Sequence, residues 1–154
     1  MPRATASERL EALLGGENPA MIARMHSGFA VMADYQYLKG YSLLLAYPEV
    51  QQLNDLNNPR RMHFLDDMAH LGAAVKLATG CSRINYAIYG NQDQFLHAHV
   101  WPRYEDEPAE YAQLPPLSMP ESVRQAAHHK FHVRRHGDLL RQIAERLHHE
   151  PRDY

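Results

Sequence analysis

The sequence has one cysteine, Cys81, in 154 residues, so no intramolecular disulfide can staple it. It lacks any apolar run near the ~20 residues that a membrane-spanning helix needs. The first residues, Met1-Pro2-Arg3-Ala4-Thr5, have no apolar centre of the kind a secretory signal carries. An excess of one charge is missing too. The formal net charge is −2, which gives no global pull toward nucleic acid or an anionic membrane. Any phosphate site must therefore come from local groups. The chain shows no internal repeat and no low-complexity tract. These absences lead to the expectation of one soluble, cytoplasmic domain over 1–154, long enough to bury a core of its own. Histidine is what the chain has in plenty: 11 residues, six of them after residue 120.

Thr5-Ala6-Ser7-Glu8 reads as a capping box before Leu10, Leu13 and Leu14, with Gly15-Gly16 ending that helix. Asn18-Pro19 reads as a cap followed by proline at the first helical position and predicts a short helix to about His26. Phe29, Val31 and Ala33 give a weak strand signal. A stronger strand over 41–47 is closed by Pro48, and the pair suggests an antiparallel hairpin around the loop 34–40. Asn58-Pro59 repeats the cap-and-proline signal. Leu65, Met68, Leu71 and Val75 then follow helical spacing up to Gly80. Strands over 83–89 and 95–101 flank a turn at Gly90-Asn91, and Pro102 ends the second. Four prolines make 104–120 an extended surface segment. Leu139, Leu140, Ile143 and Leu147 define a last helix. The order helix, hairpin, helix, hairpin, helix implies an α+β domain, an antiparallel β-sheet with helices packed on one side.

The chemistry lies in Phe95-Leu96-His97-Ala98-His99-Val100-Trp101-Pro102-Arg103. Side chains two apart on a strand share a face. Leu96, Ala98 and Val100 form the core-facing set, so Phe95, His97, His99 and Trp101 point outward. The two histidines then stand about 6–7 Å apart along the strand, too far to bond each other directly but suited to gripping one phosphate. Imidazole, with a pKa near 6.5, serves as a neutral nucleophile or a proton donor at ordinary pH. Attack on phosphorus would hold the group as a phosphoramidate and split one hard displacement into two. The turn Gly90-Asn91-Gln92 offers N–H and amide donors for phosphate oxygens. His-x-His is equally a metal-ligand spacing, with His63, His70 or the C-terminal histidines as a third ligand. On a strand face it is also compatible with plain surface polarity.

Asn85-Tyr86-Ala87-Ile88-Tyr89-Gly90-Asn91, followed by Phe95 to Arg103, resembles the signature of the histidine-triad (HIT) superfamily: His-x-His-x-His, two apolar residues, then commonly Pro-Arg. Pro102-Arg103 sets the register. His99 matches the third histidine, His97 the middle one, and Phe95 stands in place of the first. Asp34 through Gly40-Tyr41 resembles the family's first hairpin, with Tyr41 where a histidine usually follows the glycine. The resemblance covers about 28–104, leaving N-terminal helices over 1–27 and a C-terminal extension over 105–154 outside it.

The resemblance implies a homodimer that binds nucleotides in a cleft at the sheet. It implies hydrolysis or transfer of nucleoside monophosphates, as in bacterial dinucleoside polyphosphate hydrolases, through a nucleotidyl-histidine intermediate and without a metal or other cofactor. His97 takes the role of nucleophile, and His99 contacts the scissile phosphate and helps the leaving group. Asp34 is the candidate ribose contact, and Asn85, Asn91 and Gln92 are the candidate phosphate contacts. No membrane or nucleic-acid partner is expected. The alternatives are a catalytically weak nucleotide-binding protein, since phenylalanine at position 95 cannot hydrogen-bond through its side chain, and a metal-dependent hydrolase. Arg103 is read as solvating the strand end, Cys81 as a packed thiol, and His128, His132 and His136 as a solvated helix face.

Overall fold

The computed structural model describes residues 6–149. Helix α1 (Ala6–Leu14) leads into strands β1 (Met21–Met25), β2 (Gly28–Met32) and β3 (Ser42–Ala46). Helix α2 (Asn58–Thr79) connects to β4 (Arg83–Ala87) and β5 (His97–Arg103). Two single-turn helices, α3 (Ala109–Ala112) and α4 (Glu121–Arg124), precede the long α5 (Val133–His149). The strands form one antiparallel sheet in the order β1-β2-β3-β5-β4. Among the described residues no helix is long and apolar enough to cross a membrane.

The central strands are buried along their whole length, Gly28–Met32 and Ser42–Ala46 alike, because both faces of the sheet are covered. One face carries Ala30, Met32, Leu44, Leu96, Ala98 and Val100, packed with Phe64, Leu71 and Val75 of α2 and Ile143 and Leu147 of α5. The predicted apolar set of β5 is therefore the core-facing one. The opposite face carries Phe29, Val31, Leu43, Leu45, Phe95 and Trp101, and it is covered by Leu10 and Leu13 of α1 and by Met119. The two long helices share one side as expected, while α1 lies on the other.

Three local expectations change. Asn18-Pro19 does not start a helix: Asn18 Oδ1 accepts from the Ala20 N–H at 2.9 Å, a turn that delivers β1. A helix that short is marginal by itself, whereas pairing Met21 to Met25 with β2 satisfies its backbone and buries Ile22 and Met25. The α2 cap is one residue earlier than read, since Asn57 Oδ1 accepts from the Arg60 N–H. Gly80 ends α2 at φ 68°, its N–H on Lys76 O. Pro102 does not end the last strand. It lies beyond Val100, where pairing with β3 stops and β4 alone is the partner, so its missing N–H is tolerated at that edge. Thr5 of the capping box lies outside the described residues.

Candidate active site

His97 is the first residue of β5, level with Leu45 of β3. Its Nδ1 lies 2.8 Å from the Phe95 main-chain oxygen. A carbonyl only accepts, so Nδ1 carries the proton and Nε2 keeps its lone pair. The Phe95 ring stacks on the imidazole at 4.9 Å. His97 is 8% exposed, so this face is not the open outer surface that alternation suggested; the second apolar cluster covers it.

His99 follows on the same face, level with Leu43 and Ala87. The two imidazoles meet edge to face, 5.0 Å between centroids, closer than strand spacing alone implied. His99 Nδ1 is 2.6 Å from the Tyr41 hydroxyl. Its ring lies flat on Trp101 at 4.8 Å and 6°, and Tyr89 approaches it at 5.7 Å. Trp101 Nε1 donates to the Tyr37 hydroxyl at 3.0 Å. Burial pushes the Tyr37 phenol up to about 12, so it stays neutral. Phe95, His97, His99 and Trp101 thus form one continuous row of rings, with Tyr41 stacked against Trp101 at 5.1 Å.

Tyr41 and Tyr89 lie in the stretches that carry the resemblance, but neither is among the predicted contacts; both touch His99. Tyr41 is legible in retrospect, because it alternates with Leu43 and Leu45 on one face. The loop before it is cross-linked by the buried Gln36 side chain. Gln36 donates to the carbonyls of Ala33 and Tyr41, and its own oxygen accepts from the Gly40 N–H.

The predicted nucleotide contacts fall in three places. Asp34 is exposed, pairs with Arg9 at 3.3 Å and follows the β2 end away from Phe29, the residue in His97's cross-strand row. Asn85 lies level with Trp101, and its Oδ1 accepts from Arg103 Nη1 at 2.9 Å. Asn91 and Gln92 are exposed in the turn that leads into β5. That turn is held by Leu96 N–H on Val50 O and Phe95 N–H on Asp93 O.

Arg103 does not solvate the strand end. It is 8% exposed and donates to Glu107, Asn85 and the carbonyls of Tyr111, Ala112 and Leu114. Residues 104–120 are consequently gathered against the sheet, with Pro116 and Met119 buried, rather than simply extended.

The proposed third metal ligands lie elsewhere. His63, on α2, meets the His26 ring at 4.0 Å, tilted by 37°, and His70 is 3.2 Å from Asp66. Of the predicted solvated face, His128 and His132 are exposed as expected, whereas His136 is buried. His132 Nδ1 accepts from the Arg134 N–H, and His136 Nδ1, on a buried residue, accepts from the His132 N–H. Both cap the start of α5. Cys81 is buried as expected. Among the described residues no group of three or more His, Cys, Asp or Glu is placed to hold a metal ion.

No protein-family model matches the sequence, and no curated protein matches it significantly. Solved structures do resemble it. A histidine triad protein from Sinorhizobium meliloti superposes with a TM-score of 0.71 at 19% identity, covering 90% of this chain and 93% of that one. A hypothetical histidine triad nucleotide-binding protein from Sulfolobus tokodaii gives 0.68 at 13%, covering 91% of each chain. A zinc-bound histidine triad family protein from Mycobacterium smegmatis gives 0.62 at 17%, covering 89% of this chain and 92% of that one. At such identities the likeness is one of fold, and with the five-stranded antiparallel sheet and its packed helices this chain has the fold of the histidine-triad proteins.

Proposed function

We propose that this chain is a nucleotide hydrolase or nucleotidyltransferase acting on dinucleoside polyphosphates or related nucleoside monophosphate conjugates. The observation that carries the reading is the 2.8 Å contact between His97 Nδ1 and the Phe95 main-chain oxygen. In the neutral ring it fixes the tautomer whose lone pair is on Nε2, the one a nucleophile requires. The orienting atom belongs to the backbone, so phenylalanine at position 95 does not remove it.

Nε2 of His97 attacks the α-phosphorus, the P–N bond forms and the bond to the leaving-group oxygen breaks. The N–H at Nε2 of His99 hydrogen-bonds that oxygen and steadies the negative charge that develops on it. Water, or another acceptor hydroxyl, then attacks the same phosphorus, the P–N bond breaks, and a nucleoside monophosphate or its ester leaves with His97 restored. The exposed turn with Asn91 and Gln92 supplies donors for the phosphate oxygens, Asn85 is a further candidate phosphate contact, and Asp34 is the candidate ribose contact. The chain acts as a cytoplasmic homodimer.

The stacking of the Phe95 ring on a nearly buried His97 favours one alternative, a nucleotide-binding protein with slow chemistry. Intact-protein mass after brief mixing with diadenosine polyphosphates and with adenosine phosphoramidate separates the two. A transient gain of one nucleoside monophosphate, absent in His97→Ala, supports catalysis. Binding with neither adduct nor released nucleotide supports the binding protein.

A further inference from the structure

A cavity of about 180 Å3 is lined by His26, Ser27, Tyr47, Leu56, Arg60 and His63 among others. None of these belongs to the ring row of β5. His26 and Ser27 form the turn between β1 and β2, Tyr47 follows β3, and Arg60 and His63 lie on successive turns of α2. Three separate segments thus converge on one space.

The lining is basic. Arg60 brings a permanent positive charge, and the imidazoles of His26 and His63 meet at 4.0 Å. No carboxylate lines the space. The nearby carboxylate, fully buried Asp67, lies one turn beyond His63 and accepts from both N–H and Oγ of Ser27 at 2.7 Å. That pair of bonds pins the β1–β2 turn, and with it His26, against α2. An imidazole offers an N–H donor in either tautomer and a guanidinium offers five, donors that suit an oxyanion. The volume holds about six waters at ~30 Å3 each, and is below the ~300 Å3 at which drug-sized ligand pockets begin. The space is ample for a tetrahedral oxyanion.

We propose that His26, His63 and Arg60 form a binding site for a phosphate group, separate from the histidine row on β5. Isothermal titration of the full chain with inorganic phosphate tests it, in wild type, Arg60→Gln, His63→Gln and His97→Ala. The expected result is saturable binding that His97→Ala retains and that Arg60→Gln weakens at least tenfold. Arg60 is exposed, so Arg60→Gln leaves the core intact, and it decides the matter even if His63→Gln folds poorly. Glycerol 3-phosphate separates the sources. Binding of both compounds assigns a phosphomonoester end, and binding of inorganic phosphate alone assigns the free ion. No saturable binding in wild type at millimolar phosphate overturns the site. Binding lost in His97→Ala but unchanged in Arg60→Gln overturns it as well.

Discussion

The hydroxyl of Tyr41 lies 2.6 Å from Nδ1 of His99, while the main-chain oxygen of Phe95 lies 2.8 Å from Nδ1 of His97. The two imidazoles of one strand are thus oriented by partners of different kinds. A carbonyl forces a proton onto Nδ1, whereas a phenol can give one to it. With Tyr41 donating, neutral His99 presents an N–H at Nε2, a hydrogen-bond donor on the same face as the nucleophile. Tyr41 is a positioning residue in this reading. Tyr41→Phe removes one hydrogen bond worth about 1 kcal/mol and lowers kcat by roughly fivefold, leaving KM nearly unchanged. Steady-state kinetics across pH checks this through the split between kcat and KM. An unchanged kcat at every pH would show that Tyr41 only packs.

Arg103 and Glu107 form a nearly buried ion pair at 3.0 Å, with side chains 9% and 6% exposed. Arg103→Ala strands the Glu107 carboxylate and frees three carbonyls after β5 at once. A loss of about 3–5 kcal/mol is expected, read as the denaturation midpoint in urea. Arg103→Met combined with Glu107→Gln loses less, because no charge is left buried.

Gly28 starts β2 at φ 157°, and a Cβ there would lie 1.8 Å from the Leu45 carbonyl oxygen. That oxygen belongs to a fully buried central strand and cannot retreat. Gly28→Ala is expected to cost at least the ~3 kcal/mol at the upper end of overpacking. Gly15→Ala meets only ordinary contacts, at 3.5 Å and beyond, and is the control. Thermal melts of the two variants compare them directly.

Acid weakens the start of α5. Burial, with Arg135 adding, holds the His136 imidazole below its ordinary value, and its Nδ1 accepts the His132 N–H. Lys39 and His132 add positive charge nearby. A histidine depressed in the folded state is neutral in both states above its unfolded pKa of about 6.5, and its contribution is fully present there. Stability falls as pH drops below that value and through the lower folded pKa. Wild type is therefore expected to lose more Tm between pH 7.5 and 5.5 than His136→Gln, whose amide oxygen accepts at any pH. Equal losses would place the acid sensitivity elsewhere, with His129, also lowered by burial, the first alternative.

The parts of the fold that were legible are those whose signal is local. The 3.6-residue spacing of Leu71 and Val75 with Gly80 behind them predicts α2 to its C-terminal residue. The alternation of Leu96, Ala98 and Val100 predicts which face of β5 meets the helices. The segment 21–25 misled because Asn18-Pro19 is an honest local signal that serves a turn as well as a helix. What decides between them is the edge of β2, which no window around residue 20 contains.

The site divides along the same line. Sequence alone determined that His97 and His99 share a face, since strand geometry permits nothing else for alternate residues. It also determined that the apolar residues between them turn to the core. Only the tertiary structure decided that this face is covered, that Tyr41 reaches His99, and that Arg103 and Asn85 are spent on holding residues 104–114. The reason is physical. Periodicity specifies which way a side chain points, while a hydrogen-bond partner far along the chain is chosen by how the strands align and what packs over them.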